Sequence, residues 1–205
     1  MLLVALTGAI ASGKSIAAHT FKDLGCYIHR ADEAAHELMQ PQTPAWKEIV
    51  AHFGTEILNP DSSIDRSKLG AIVFAQPEER RFLNELIHPL VFARKNKIIA
   101  SLRQENNFQI FIAEAALTIE AGFIEFFDKV VVTDCPQKML ITRLSQRDKI
   151  SRQEALLRIE SQLSPEIKRK YADYIIDTSA TIRDTIERTE RVYRSLTQDY
   201  QMIYN

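Results

Sequence analysis

An α/β fold organised on a parallel sheet is predicted by three observations. Five short apolar segments, Leu2–Leu6, Cys26–Ile28, Phe108–Ala113, Lys129–Thr133 and Tyr174–Ile176, read as strands that alternate with helical patterns. The first segment runs into Gly8-Ala9-Ile10-Ala11-Ser12-Gly13-Lys14-Ser15, the G-x-x-x-x-G-K-[ST] spacing of a phosphate-binding loop, and a helix with Ala17, Ala18 and Phe21 on one face follows. The stretch 33–104 reads almost wholly as helix. An insertion of that length between strands predicts a substrate-covering subdomain rather than a plain crossover.

Taken in order, a helix from about Glu33 to Met39 is predicted to stop before Pro41 and Pro44, with Asp32 suited to cap its start. Trp46–Phe53, Arg66–Phe74, Pro77–Ile87 and Pro89–Leu102 are further helical patterns, with His88-Pro89 at a helix–helix junction. Asp134 and Pro136 are placed to cap and start a basic helix, Lys138–Asp148, which a polar helix, Ser151–Leu163, follows. Thr181-x-x-Asp184 has capping-box spacing. The last helix carries Ile182, Ile186, Thr189, Tyr193, Leu196, Tyr200 and Ile203 at alternating steps of four and three, which suits packing along the sheet or a dimer seam.

The 205 residues, 45% hydrophobic, suffice for one full core with a smaller appended domain. Lys and Arg number 26 against 27 Asp and Glu, so no general attraction to nucleic acid or an anionic membrane is expected. Cys26 and Cys135 lack metal-ligand or redox spacing and read as small buried residues of a protein in a reducing compartment. The opening apolar run has no basic flank, and no segment approaches the roughly 18 apolar residues of a membrane span. A soluble, cytoplasmic protein is therefore expected, and oligomeric state stays open.

Chemistry is expected where parallel strands end, because ligands of such sheets bind at the carboxyl edge. Gly8, Ala9, Ile10, Ala11, Ser12, Gly13, Lys14, Ser15 and Ile16 form the predicted nucleotide cradle. Gly8 and Gly13 allow close approach of the backbone, Lys14 reaches the β- and γ-phosphates, and Ser15 can hold Mg²⁺. Ala9 and Ala11 then need ordinary backbone angles. Asp32, following the second strand, is the candidate base for an acceptor hydroxyl. Glu114 ends the third strand and can hold a Mg²⁺ water opposite Ser15, with Glu120 on the same loop. Arg143 and Arg147 share a helix face, where like charges are tolerable if a partner anion lies between them. His88 has either a capping or a substrate role. No N/T-K-x-D base-reading motif sits in a suitable position for a guanine-specific GTPase. From these residues alone, a kinase of some small metabolite or a nucleotide-binding protein without transfer both stay open.

Over nearly its whole length the chain resembles the dephospho-coenzyme A kinase family. The resemblance rests on ALTGAIASGKS, Ala31-Asp32 with Ala35–Met39, Phe53-Gly54, Asp65–Gly70, Val73-Phe74, His88-Pro89, Ile119–Gly122, Arg143–Asp148, Arg158–Gln162 and Ala172–Asp177. It implies a five-stranded parallel sheet of the P-loop nucleoside-monophosphate-kinase type with a helical substrate-binding insertion and a lid. The expected division is a core of 1–32, 105–140 and 170–205, a coenzyme A domain of 33–104 and a lid of 141–169. It implies ATP and Mg²⁺, with dephospho-coenzyme A as acceptor and His88, Arg66 and Glu120 joining Asp32 around it. Asp32 falls on the second aspartate of the family's D-A-D pattern, and Arg143 and Arg147 fall on its lid arginines. The chain departs at Ala9, Ala11 and Ile16, where the family has two glycines and a threonine. It departs also at Arg30, in place of the first aspartate, and at Ala116–Glu120, in place of P-L-L-F-E.

Overall fold

The computed structural model describes residues 1–204. Five strands, β1 (Leu2–Gly8), β2 (Tyr27–Arg30), β3 (Ile110–Glu114), β4 (Lys129–Asp134) and β5 (Tyr174–Asp177), form one sheet in the order β2-β3-β1-β4-β5. Every neighbouring pair is parallel. β1 is central, with later strands on both sides, so the order reverses at its carboxyl end, where sheets of this kind open a ligand crevice. The register sets the site. Leu6 lies opposite Glu114, Arg30 opposite Glu114, Gly8 opposite Thr133, and Asp134 opposite Asp177.

The chain divides into two compact units, Met1–Arg30 with Ile99–Asn205, and Ala31–Ile98. In the first, helix α1 (Lys14–Asp23) buries Ala17, Ala18 and Phe21 against Leu2, Val4, Leu6, Ile112 and Ile176 of the sheet. Fully burying a side chain as large as Phe21 contributes about 1.5–3 kcal/mol. A second cluster, Ala9, Cys135, Leu140, Leu144, Ala155 and Ile159, joins the phosphate loop to helices α6 (Gln137–Asp148) and α7 (Arg152–Glu160). Ser151 and Glu154 close a reciprocal capping box at the start of α7. Both cysteines are buried free thiols, and burial pushes Cys26 up to about 12.

The second unit holds α2 (Ala31–Leu38), α3 (Pro44–Phe53), α4 (Arg66–Ala75) and most of α5 (Pro77–Glu105) around Ala45, Ile49, Ile57, Leu69, Val73 and Ile87. Thr43 and Asp65 cap α3 and α4 through their side chains, on Trp46 N and on Ser67 N and Lys68 N.

Four expectations need correction. α2 begins at Ala31, so Asp32 lies inside its first turn and is not its cap. The predicted junction at His88-Pro89 does not exist, because α5 runs unbroken through Pro89. Proline removes one backbone donor, a loss that helix packing elsewhere along 29 residues outweighs. A short helix, α8 (Pro165–Arg169), capped by Ser164, separates α7 from β5. The buried face of α9 (Ile182–Tyr204) is Thr185, Thr189, Val192, Leu196 and Asp199, whereas Ile182 and Ile203 are exposed. The helix packs along the sheet as expected, with Thr189 and Leu196 of the predicted stripe buried and Tyr193 and Tyr200 against the core. The stripe's two end residues lie outside that face, and Thr185, Val192 and Asp199 join it, the polar ones being bonded. Thr189 Oγ1 donates to Thr185 O at 2.7 Å, and Asp199 accepts from Tyr174 OH at 2.7 Å.

Candidate functional site

The phosphate loop is a tight turn feeding a helix. Ser12 N donates to Ala9 O at 3.1 Å, closing a β-turn whose third residue is Ala11. Gly8 takes φ 148° and Gly13, at the start of α1, takes φ 87°. Ala11 takes φ 63°, so the expectation of ordinary angles fails at Ala11, although Ala9 keeps a negative φ. A hydrogen-bonded turn with positive φ at its third residue is one in which glycine fits best at that position. An alanine held there costs about 1 kcal/mol. Ala11→Gly is therefore expected to raise the melting temperature by about 1–3 °C, net of glycine's extra unfolded-state entropy. A fall in a thermal melt would show that the turn stores no strain.

Side chains brace this loop from several elements. Lys14 Nζ donates to Gly8 O at 3.2 Å and to Ala9 O at 3.0 Å, so the ammonium lies over the loop it serves. Ser12 Oγ and Thr133 Oγ1, on β4, are 2.6 Å apart. Thr178, just past β5, donates from Oγ1 to Ser12 O at 2.9 Å. Beside them, Ser15 Oγ donates to Glu114 Oε1 at 3.2 Å, and Arg30 Nε donates to Glu114 Oε2 at 3.2 Å. The Glu114 side chain is 11% exposed, so a nearly buried carboxylate links the helix start to two strand ends. The Arg30 departure thus gives Glu114 a cationic partner.

The two α6 arginines have different partners. Arg143 donates to Thr178 Oγ1 at 3.3 Å and Thr178 O at 2.7 Å, which fastens α6 to the loop after β5. Arg147 is largely exposed and donates to Asp148 Oδ1 at 2.7 Å, and Arg158 reaches Asp148 Oδ2 at 3.0 Å. The Arg147 hydrogen bond holds the Asp148 carboxyl below its ordinary range. Glu120 Oε1 accepts from Lys168 Nζ at 2.6 Å and from Leu163 N at 3.0 Å.

Asp32, Arg66 and His88 belong to the Ala31–Ile98 unit. Asp32 stands in the first turn of α2, Arg66 is exposed at the start of α4, and His88 is inside α5, where burial lowers its pKa and favours neutral imidazole. Sequence reasoning missed Thr178, Gln162 and Lys168. Thr178 had one signal, a small polar residue at the carboxyl end of the last strand.

The geometry supports binding of a phosphate chain beside a buried carboxylate. The comparisons with known proteins agree. A family model described as "CoaE: Dephospho-CoA kinase" matches residues 2–184. The dephospho-CoA kinase of Geobacter metallireducens is 42% identical over 191 residues, which are 93% of this chain and 92% of that one. That of Aquifex aeolicus is 36% identical over 199 residues, 97% of this chain and all of the relative. Among solved structures, "Dephospho-CoA kinase from Campylobacter jejuni" superposes with a TM-score of 0.69 at 30% identity, covering 96% of this chain and 98% of that one. The loop, the sheet order and these matches lead to one conclusion: the chain belongs to the dephospho-CoA kinase family.

Proposed function

We propose that this chain transfers the γ-phosphoryl group of ATP to the ribose 3′-hydroxyl of dephospho-coenzyme A, the last step of coenzyme A biosynthesis. The observation that carries the reading is the braced Gly8–Ser15 loop, with Ser15 bonded to the buried Glu114, in a chain of this family. The loop of residues 8–16 and Lys14 hold the phosphates, and Lys14 exchanges its bonds to Gly8 O and Ala9 O for phosphate oxygens.

Asp32 takes the proton of the 3′-hydroxyl as its oxygen bonds to the γ-phosphorus and the bond to the bridging oxygen of ADP breaks. This role is supported by the position of Asp32, two residues beyond the last residue of a parallel strand. Arg143 and Arg147 neutralise the charge developing on the transferred group. His88, Arg66 and Glu120 serve the acceptor. Residues 33–104 act as the coenzyme A domain and 141–169 as the lid.

The chemistry of the donor set fits Mg²⁺. Ser15 Oγ and Glu114 Oε1 are hard oxygen ligands, and that ion takes few protein groups alongside phosphate oxygens and water. When bound it would neutralise the β- and γ-phosphate oxygens. No helix among the described residues is long and apolar enough to cross a membrane, and two free buried thiols support a cytoplasmic setting.

The test is turnover with ATP, Mg²⁺ and dephospho-coenzyme A, read by product mass. A gain of one phosphoryl group is expected. Product from a different small acceptor, with none from dephospho-coenzyme A, would overturn the assignment.

A further inference from the structure

The segment between α7 and α8 crosses to the phosphate loop, and one side chain makes the connection. Gln162 Oε1 accepts from Ile10 N at 2.9 Å, across 152 positions of sequence. Ile10 is the second residue of the turn closed by the bond from Ser12 N to Ala9 O, and Ala11, at φ 63°, is its third. The turn with the strained alanine is therefore gripped at its leading amide by a residue from far along the chain.

Gln162 is itself held. The amide of the next residue, Leu163, donates to Glu120 Oε1, and that carboxylate is paired with Lys168 Nζ. Lys168 is fully buried and also donates to Ala116 O at 2.7 Å. A buried ammonium with one carboxylate and one carbonyl partner is a rigid anchor, because moving either partner would leave its charge unmatched. The Gln162 carbonyl is thus presented from a fixed segment.

The side-chain type also matters. Glutamine offers a neutral acceptor, whereas a carboxylate in the same place would add negative charge beside a site built for phosphates.

We propose that Gln162 is a positioning residue for the nucleotide: its side-chain carbonyl holds the Ile10 amide and so keeps the Ala9–Ser12 turn, with Ala11 left-handed, in the form that receives the phosphates. Glycine at position 11 would reach this form without help, and here alanine needs the clamp. The inference rests on the kinase reading above, but its readout is nucleotide affinity and does not depend on the acceptor.

The experiment compares wild type, Gln162→Met, which keeps the volume and removes the oxygen, and Gln162→Met with Ala11→Gly. ATP affinity is measured by calorimetry, KM for ATP and for dephospho-coenzyme A by kinetics, and folding by thermal melt. Gln162→Met is expected to bind ATP about tenfold more weakly, with KM for ATP raised to match, as loss of one hydrogen bond plus release of the turn would produce. The acceptor KM and the melting temperature should stay close to wild type. Adding Ala11→Gly should recover most of the lost affinity, which a purely structural role for Gln162 would not produce. Gln162→Ala carries the same expectation and leaves no misfitting side chain. Wild-type ATP affinity in the folded variants, or no recovery on adding Ala11→Gly, would overturn the proposal. A wild-type chain that binds ATP but leaves dephospho-coenzyme A unchanged would sink the acceptor assignment alone.

Discussion

Asp32→Asn is expected to lower kcat by about 10²–10⁴-fold while ATP affinity stays near wild type. The substitution keeps the side chain's size and removes its ability to take a proton. Asp32 sits in the first turn of α2 beside Glu33, so the helix loses one of two first-turn carboxylates, worth only about 0.3–1 kcal/mol. The proposed phosphate site is the Gly8–Ser15 loop, which the substitution does not touch. The split between turnover and affinity is therefore diagnostic. Single-turnover kinetics with calorimetric ATP binding measures both, and near-normal turnover would remove Asp32 from the role of base.

Gly8→Ala is expected to cost about 3 kcal/mol or more and to abolish nucleotide binding. A methyl at Gly8 would lie 2.5 Å from Thr133 O and 2.7 Å from Ser12 Oγ, and nearer still to Thr133 Oγ1. None of these atoms can retreat cheaply. Gly8 and Thr133 are paired in the register of β1 and β4, and Thr133 is buried and bonded to Ser12. The backbone at φ 148° adds strain of its own. In a chain of this size the melting temperature should drop by about 6–12 °C. Gly25→Ala is the matched control, since Gly25 also has positive φ, 92°, but its added carbon would meet nothing within 4 Å. Only backbone strain is then added, about 1–2 kcal/mol. Equal effects of the two substitutions in a thermal melt would show that the packing against Thr133 is not what requires glycine.

Both predictions concern residues that could be picked out from the chain alone, and the reason is local. A phosphate loop is written in consecutive residues, since glycine spacing, lysine and serine must follow one another for the amides to converge at a helix start. Buried parallel strands announce themselves as short apolar runs, so all five appear within a residue or two of their observed ends. Pro89 misled for the same local reason. Proline argues for a helix boundary, yet α5 passes through it because its packing is set along its whole length. The predicted face of α9 lacks Thr185 and Asp199, which are polar yet buried because Thr181 O and Tyr174 OH satisfy them.

The sequence by itself determined that a parallel α/β sheet begins with a nucleotide phosphate loop, that a helical insertion follows, and to which family the residues point. Those properties depend on spacing within a few turns of chain. Only the tertiary structure decided that Ala11 is held left-handed, that Gln162 grips Ile10, that Thr178 ties Arg143 to Ser12, and that a buried Lys168 pairs with Glu120. Each of these four features depends on side chains or backbone torsions that the strand register and helix docking set, and three of them are contacts between residues tens to more than a hundred positions apart. A single buried polar atom then takes whichever partner the fold brings within 3 Å, and composition carries no record of that choice.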